Sequence, residues 1–158
     1  MSWWQTDETH DPDRTSWVDS AQRHPEFPVQ NLPFGLFSQA GGAPRVGVAI
    51  GDCILDLAAC AGRDLLPAIA VGACREQGLN ALMALAPADR RTLRRAIGDL
   101  LCRPENRTIL ADAVHASADC QLHLPARIGD YTDFYVGIHH ANNIGRQFRP
   151  DNPLLPNY

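Results

Sequence analysis

The run Arg45-Val46-Gly47-Val48-Ala49-Ile50-Gly51-Asp52-Cys53-Ile54-Leu55 leaves few choices of local structure. Successive side chains of a strand point to opposite faces, so Val46, Val48 and Ile50 share one face while Gly47 and Ala49 keep the other face small. The two-residue Gly51-Asp52 link matches a type II′ hairpin, which returns Cys53-Ile54-Leu55 antiparallel to the first strand. Leu36-Phe37-Ser38, set off by the Gly41-Gly42 turn, reads as a further strand. Short strands joined by tight turns predict a small barrel or a curled sheet, and the helical patterns described next make the fold mixed α+β.

Before the hairpin, Pro25, Pro28 and Pro33 space out an extended segment that cannot be helical, with Phe27, Val29 and Leu32 expected against the sheet. Residues 57–85 are rich in alanine and leucine and broken by Gly62, Gly72 and Gly78, a pattern of short helices. Pro87 then opens the clearest helix of the chain, in which Leu93, Ala96, Ile97, Leu100 and Leu101 repeat at helical spacing. Its other face carries Arg90, Arg91, Arg94 and Arg95; a solvated face with Asp89 and Asp99 nearby is the plainer reading, an anion-binding patch the sharper one. Ile109, Leu110, Ala113 and Val114 allow one more short helix, and small polar residues at 116–119 suggest a domain boundary.

The chain has 158 residues, enough for one domain and the start of another, and a formal net charge of −4, which argues against a nucleic-acid surface. Its 5 cysteines form neither a Cys-x-x-Cys pair nor a zinc-ribbon spacing, so reduced thiols in a cytoplasmic protein are expected. The first sixteen residues, with Trp3, Trp4 and several acids, read as a loose tail without the features of a secretory signal. No apolar run is long enough to cross a bilayer, because Arg63, Asp64, Arg75 and Glu76 interrupt the richest region.

Chemistry-bearing side chains concentrate in residues 130–149. Leu122 and Leu124 alternate with Gln121 and His123, so a strand is expected to feed this stretch and to leave Asp133 near its end. After it, Ile138, Ala141, Ile144 and Phe148 mark one face of a helix, weakened by Gly137 and Gly145. On that helix His139 and His140 point roughly 100° apart, so they do not chelate one ion together and at most one is the working histidine. A carboxylate can hold a hard cation, an imidazole can take a proton near neutral pH, and a guanidinium can clamp a carboxylate at two points. By itself, each of these residues also fits a structural role.

Asp130-Tyr131-Thr132-Asp133-Phe134-Tyr135, followed by His140-Ala141-Asn142-Asn143-Ile144-Gly145, Phe148-Arg149 and Asn152-Pro153-Leu154-Leu155-Pro156-Asn157-Tyr158, resembles the signature of the fumarylacetoacetase family, especially its bacterial form. Phe27-Pro28-Val29-Gln30-Asn31-Leu32-Pro33-Phe34-Gly35-Leu36-Phe37 and the hairpin resemble its amino-terminal domain, so the likeness runs from Trp17 nearly to the end. It implies an SH3-like domain over residues 17–118, followed at 119–158 by the first strand and helix of an incomplete catalytic domain. It also implies metal-assisted hydrolysis of the carbon–carbon bond of 4-fumarylacetoacetate to fumarate and acetoacetate, the last step of tyrosine breakdown. Asp133 would be one ligand of a calcium or magnesium ion, Tyr135 and Arg149 would hold the small diketo-acid substrate, and His140 would be the general base, with His139 a bystander. Asn142 stands where threonine is usual. The family's chains continue past the position of Tyr158, supply further acidic ligands, a carboxylate for the histidine and a lysine there, and form homodimers. On that basis this chain by itself is expected to be inactive; the alternative is a non-catalytic product that keeps an SH3-like association domain.

Overall fold

The computed structural model describes residues 6–133, 135–156 and 158. Trp3, Trp4, Phe134 and Asn157, cited above, lie outside them. The described chain divides into two compact units, residues 1–127 and 128–158.

The first unit is built on five antiparallel strands, β1 (Phe34–Gln39), β2 (Arg45–Ile50), β3 (Cys53–Asp56), β4 (Val114–Ala116) and β5 (Cys120–His123), in the order β4-β3-β2-β1-β5. The hairpin forms as its sequence dictates: Gly51 takes φ +54°, and Val48 pairs with Leu55. A Cβ at Gly51 would also strike Ser20, so this turn needs glycine twice over. Val46, Val48, Ile50, Leu36 and Leu55 point into the core, where Val29 and Leu32 of the proline-spaced segment join them.

Five helices cover that face: α1 (Leu57–Gly62), α2 (Ala68–Cys74), α3 (Asn80–Ala84), α4 (Pro87–Cys102) and α5 (Asn106–Ile109). Helix α4 begins at Pro87, where the missing N–H costs nothing, and buries Leu93, Ile97, Gly98 and Leu101. Burial pushes the thiols of Cys60 and Cys74 up to about 12 and about 11, and all five cysteines are free. No helix among the described residues is long and apolar enough to cross a membrane.

The two edge strands, β4 and β5, are joined by only the 3-10 turn Ser117–Asp119. At about 2.0 Å of rise per residue such a link spans roughly 8 Å. The edges of a flat five-stranded sheet would stand about 19 Å apart, so the sheet must curl. The Cys120 thiol reaches the Ala116 carbonyl at 3.3 Å, but no ladder joins β4 to β5. The sheet is therefore curled and open, and the face lined by Phe37, Gly47, Ala49, Ile54 and Leu122 forms a trough of about 260 Å³. Gly47 lets β1 and β3 close over that face, since a Cβ there would sit 2.6 Å from Ile54. On the same face Asp56 is 1% exposed. Its carboxylate accepts from the Ala59 amide at the start of α1 and pairs with Arg45 at 3.1 Å, which satisfies a charge too costly to bury alone.

The strand over Gln121 to His123 exists, but it pairs with β1, so it completes the first sheet instead of opening a second domain. The two compact units divide at 127/128. The strand's apolar residues also face outward: Leu122 is 72% exposed, while His123 lies 2.8 Å from the buried Ser38 hydroxyl, its hydrogen-bond partner.

The acidic amino-terminal segment is not loose from Asp7 onward. Asp7 caps the turn Glu8–His10, accepting from both the amide and the hydroxyl of Thr9. Arg95 pairs with Asp7 at 3.0 Å and Glu8 at 2.5 Å, Arg94 donates to Thr9 and to the Gln30 carbonyl, and Arg14 meets Asp99 at 2.8 Å. Two of the four arginines read as a solvated face of α4 thus hold this segment down. The hydrogen bond from Thr9, with Arg95 as a lesser cause, lowers the Asp7 carboxyl to about 2.

Candidate functional site

The site residues implied by the resemblance all lie in the second unit, whose regular element is α6 (Ile138–Phe148). The helix forms where the spacing of Ile138, Ala141, Ile144 and Phe148 predicts it, with Gly137 as the preceding cap. Ala141 and Gly145 are its buried residues. Gly145 is a close approach, not a weakness in the helix, because a Cβ there would collide with the Pro153 carbonyl. Residues 150–156 therefore fold back on α6 at a spot only glycine leaves open. The sequence signal for this was Gly145 in a helical pattern followed by Asn152-Pro153, which periodicity by itself reads as a flaw.

Tyr135 and His140 come together. Their ring centroids are 5.0 Å apart with planes at 76°, an edge-to-face contact between the loop before α6 and its first turn. The Tyr158 hydroxyl donates to the Val136 carbonyl at 3.3 Å, which ties the end of the unit to the residue after Tyr135. His139 is also exposed and, one residue away on the helix, points in a different direction.

Arg149 and Asp133 stand differently. Arg149 caps the C-terminus of α6, its amide bonded to the Gly145 carbonyl at 2.7 Å and its guanidinium to the Pro153 carbonyl at 3.3 Å. Those bonds hold the arginine within the same folded-back segment as Gly145. Asp133 is exposed and makes no hydrogen bond or ion pair among the described residues. It does not sit at a strand end: β5 stops at His123, and Asp133 lies in an irregular segment ten residues on. Asn142 has a buried Oδ1 with no hydrogen-bond partner among the described residues.

A hard cation takes six or more oxygens. The described residues gather no group of three histidine, cysteine or carboxylate side chains suited to a metal ion. Asp133 can supply one ligand, not a site.

The sequence of residues 30–125 matches the family described as fumarylacetoacetase N-terminal, and that match ends two residues before the unit boundary at Arg127. The chain is similar to the fumarylacetoacetase of Caenorhabditis elegans, 42% identical over 150 residues that cover 88% of the chain and 35% of the relative. The Rattus norvegicus fumarylacetoacetase is 40% identical over 142 residues, 84% of the chain and 34% of that protein. The Emericella nidulans enzyme of the same name is 37% identical over 158 residues, 90% and 36%. The chain thus spans about a third of the length of the curated relatives it matches. With the curled sheet, its helical cover and the matched segment coinciding in one unit, the chain belongs to the fumarylacetoacetase N-terminal family.

Proposed function

We propose that the chain is the amino-terminal part of a fumarylacetoacetase, contributing a base and substrate-holding side chains to hydrolysis of 4-fumarylacetoacetate into fumarate and acetoacetate. The observation that carries this reading is the contact of Tyr135 with His140, in a chain whose relatives bear that name. His140 accepts a proton from water, and the resulting hydroxide adds to the carbonyl carbon. The carbon–carbon bond then breaks, its electron pair leaves on the acetoacetate fragment as an enolate, and a proton returns to that carbon. Tyr135, against the His140 ring, and Arg149, at the far end of α6, place the carboxylate-bearing substrate. Asp133 is assigned one ligand of a calcium or magnesium ion, which when bound would draw charge from the diketone oxygens. No step is routed through it. We read the curled sheet as the family's SH3-like barrel. The protein is assigned to the cytoplasm, where five free thiols persist, and to homodimers as in the family.

The test is loss of substrate absorbance with calcium or magnesium, for the chain by itself and mixed with the separately made carboxy-terminal two-thirds of a relative. Turnover is expected in the mixture and abolished in His140→Ala. No turnover in the mixture would leave an association domain without activity. Turnover that survives His140→Ala would remove the histidine from its role.

A further inference from the structure

We propose that Asn80 is a latch that fixes the backbone at Arg127 and thereby sets the point where the ordered first unit gives way to the irregular segment that follows it. After β5 the chain runs out through Leu124, Pro125, Ala126 and Arg127, of which only Ala126 is even half-buried; Leu124 is 78% exposed. Such a segment has almost no apolar burial to hold it, so polar ties decide its order. Three are present, all from the start of α3. The Leu79 amide donates to the Pro125 carbonyl at 2.7 Å. The Asn80 side chain brackets Arg127, its Oδ1 accepting from the Arg127 amide at 2.9 Å and its Nδ2 donating to the Arg127 carbonyl at 3.0 Å.

A carboxamide that takes both backbone groups of one residue imitates a pairing strand, and among the natural side chains only asparagine and glutamine carry that donor and acceptor together. Glutamine adds a methylene and would have to retract to reach the same place. Beyond Arg127, residues 128–137 form no helix or strand among the described residues, so the bracket is the last tie before an irregular stretch. The division of the chain into two units falls at the bracketed residue. The Arg127 side chain, meanwhile, lines an open pocket with Glu76 and Gln77 and stays accessible while its backbone is held.

That combination makes trypsin a direct probe, because the protease needs an arginine side chain but also several residues of released, extended backbone. The full chain would be digested lightly and the fragment ending at Arg127 followed by mass spectrometry. Asn80→Ala is expected to speed cleavage after Arg127 about tenfold while the melting temperature stays close to that of the parent, since an opening equilibrium that loses two hydrogen bonds shifts by roughly that factor. Asn80→Asp, which keeps the acceptor for the Arg127 amide and loses the donor, should fall between the two. Equal rates in all three folded proteins would overturn the latch. If Asn80→Ala fails to fold, amide exchange in the parent decides: an Arg127 amide much slower than that of Gly129 supports the latch, and equal exchange overturns it.

Discussion

The two units hold their shape by different means. In the first, Leu55, Leu57, Leu93, Ile97, Leu101 and Leu110 are fully buried between sheet and helices, and the buried carboxylate of Asp56 is paired. In the second, the buried residues of α6 are an alanine and a glycine, while Tyr131, Val136, Ile138, Phe148 and Tyr158 are exposed. Apolar burial sustains the first unit; glycine packing, backbone capping and one ring contact organise the second. The residues assigned to chemistry are thus on the part with the smaller reserve of burial, and the part with the core carries the family match.

Truncating the core should give the largest difference between them. Ile97→Ala removes three heavy atoms from a site with no exposure and is expected to cost about 2–5 kcal/mol, read as a lower denaturant midpoint. Phe148→Ala, at a position 74% exposed, should change the same midpoint by less than about 0.5 kcal/mol. Equal costs would break the contrast.

Gly145→Ala is the next largest and separates helix from return. Alanine favours a helix over glycine by about 1 kcal/mol, so α6 should keep or gain helicity. The added Cβ collides with the Pro153 backbone, an overpacking worth about 1–3 kcal/mol, so residues 150–156 should lift off. Faster exchange of the Asn152 amide, bonded to the Arg149 carbonyl, with undiminished helical circular dichroism is the expected pair of results. Loss of both would mean that α6 depends on the return.

Acid should loosen the amino-terminal clamp of the first unit. The Asp7 carboxyl is lowered from 3.8 to about 2, so the stability it contributes is fully present above about pH 4 and is lost as pH falls through about 2. Thr9→Val should raise the Asp7 midpoint most, because the threonine hydroxyl is the leading cause, and Arg95→Ala should raise it less. Carboxyl carbon shifts during an acid titration report this directly. The reverse order would mean that the arginine, not the threonine, sets the clamp.

What could be read from sequence divides along the range of the forces involved. The β2–β3 hairpin, Pro87 at the start of α4 and the helical face of α6 were legible, because each is fixed by neighbours within a few residues. The partner of β5 was not, since Leu36 meets His123 across most of the unit, and a polar His123 facing Ser38 reverses the usual meaning of alternation. The acidic segment looked loose because its cations lie 85 and 87 residues away on α4. In the site, residue identities came from motif likeness and the helix from periodicity. That Tyr135 would touch His140 could not be read, because residues 136 and 137 turn the chain before the helix begins.

The ring contact itself is the smallest effect and the one that bears most on the proposed chemistry. An edge-to-face aromatic pair contributes about 0.5–1.5 kcal/mol beyond burial, and at an exposed position the lower end applies. Tyr135→Leu, His140→Ala and the double substitution form a cycle whose coupling, read from the stability of α6, should be about 0.5 kcal/mol. Tyr135→Phe keeps the ring and removes the hydroxyl, so it should leave that coupling intact. The phenol and the ring then separate in the activity of the mixture. If Tyr135 holds substrate through its hydroxyl, Tyr135→Phe raises KM with kcat little changed, while Tyr135→Leu, which also frees His140 to turn, lowers kcat as well. Equal behaviour of the two variants would reduce Tyr135 to a brace for the histidine. A coupling of zero would mean that the packing of α6 places His140 without help from the ring.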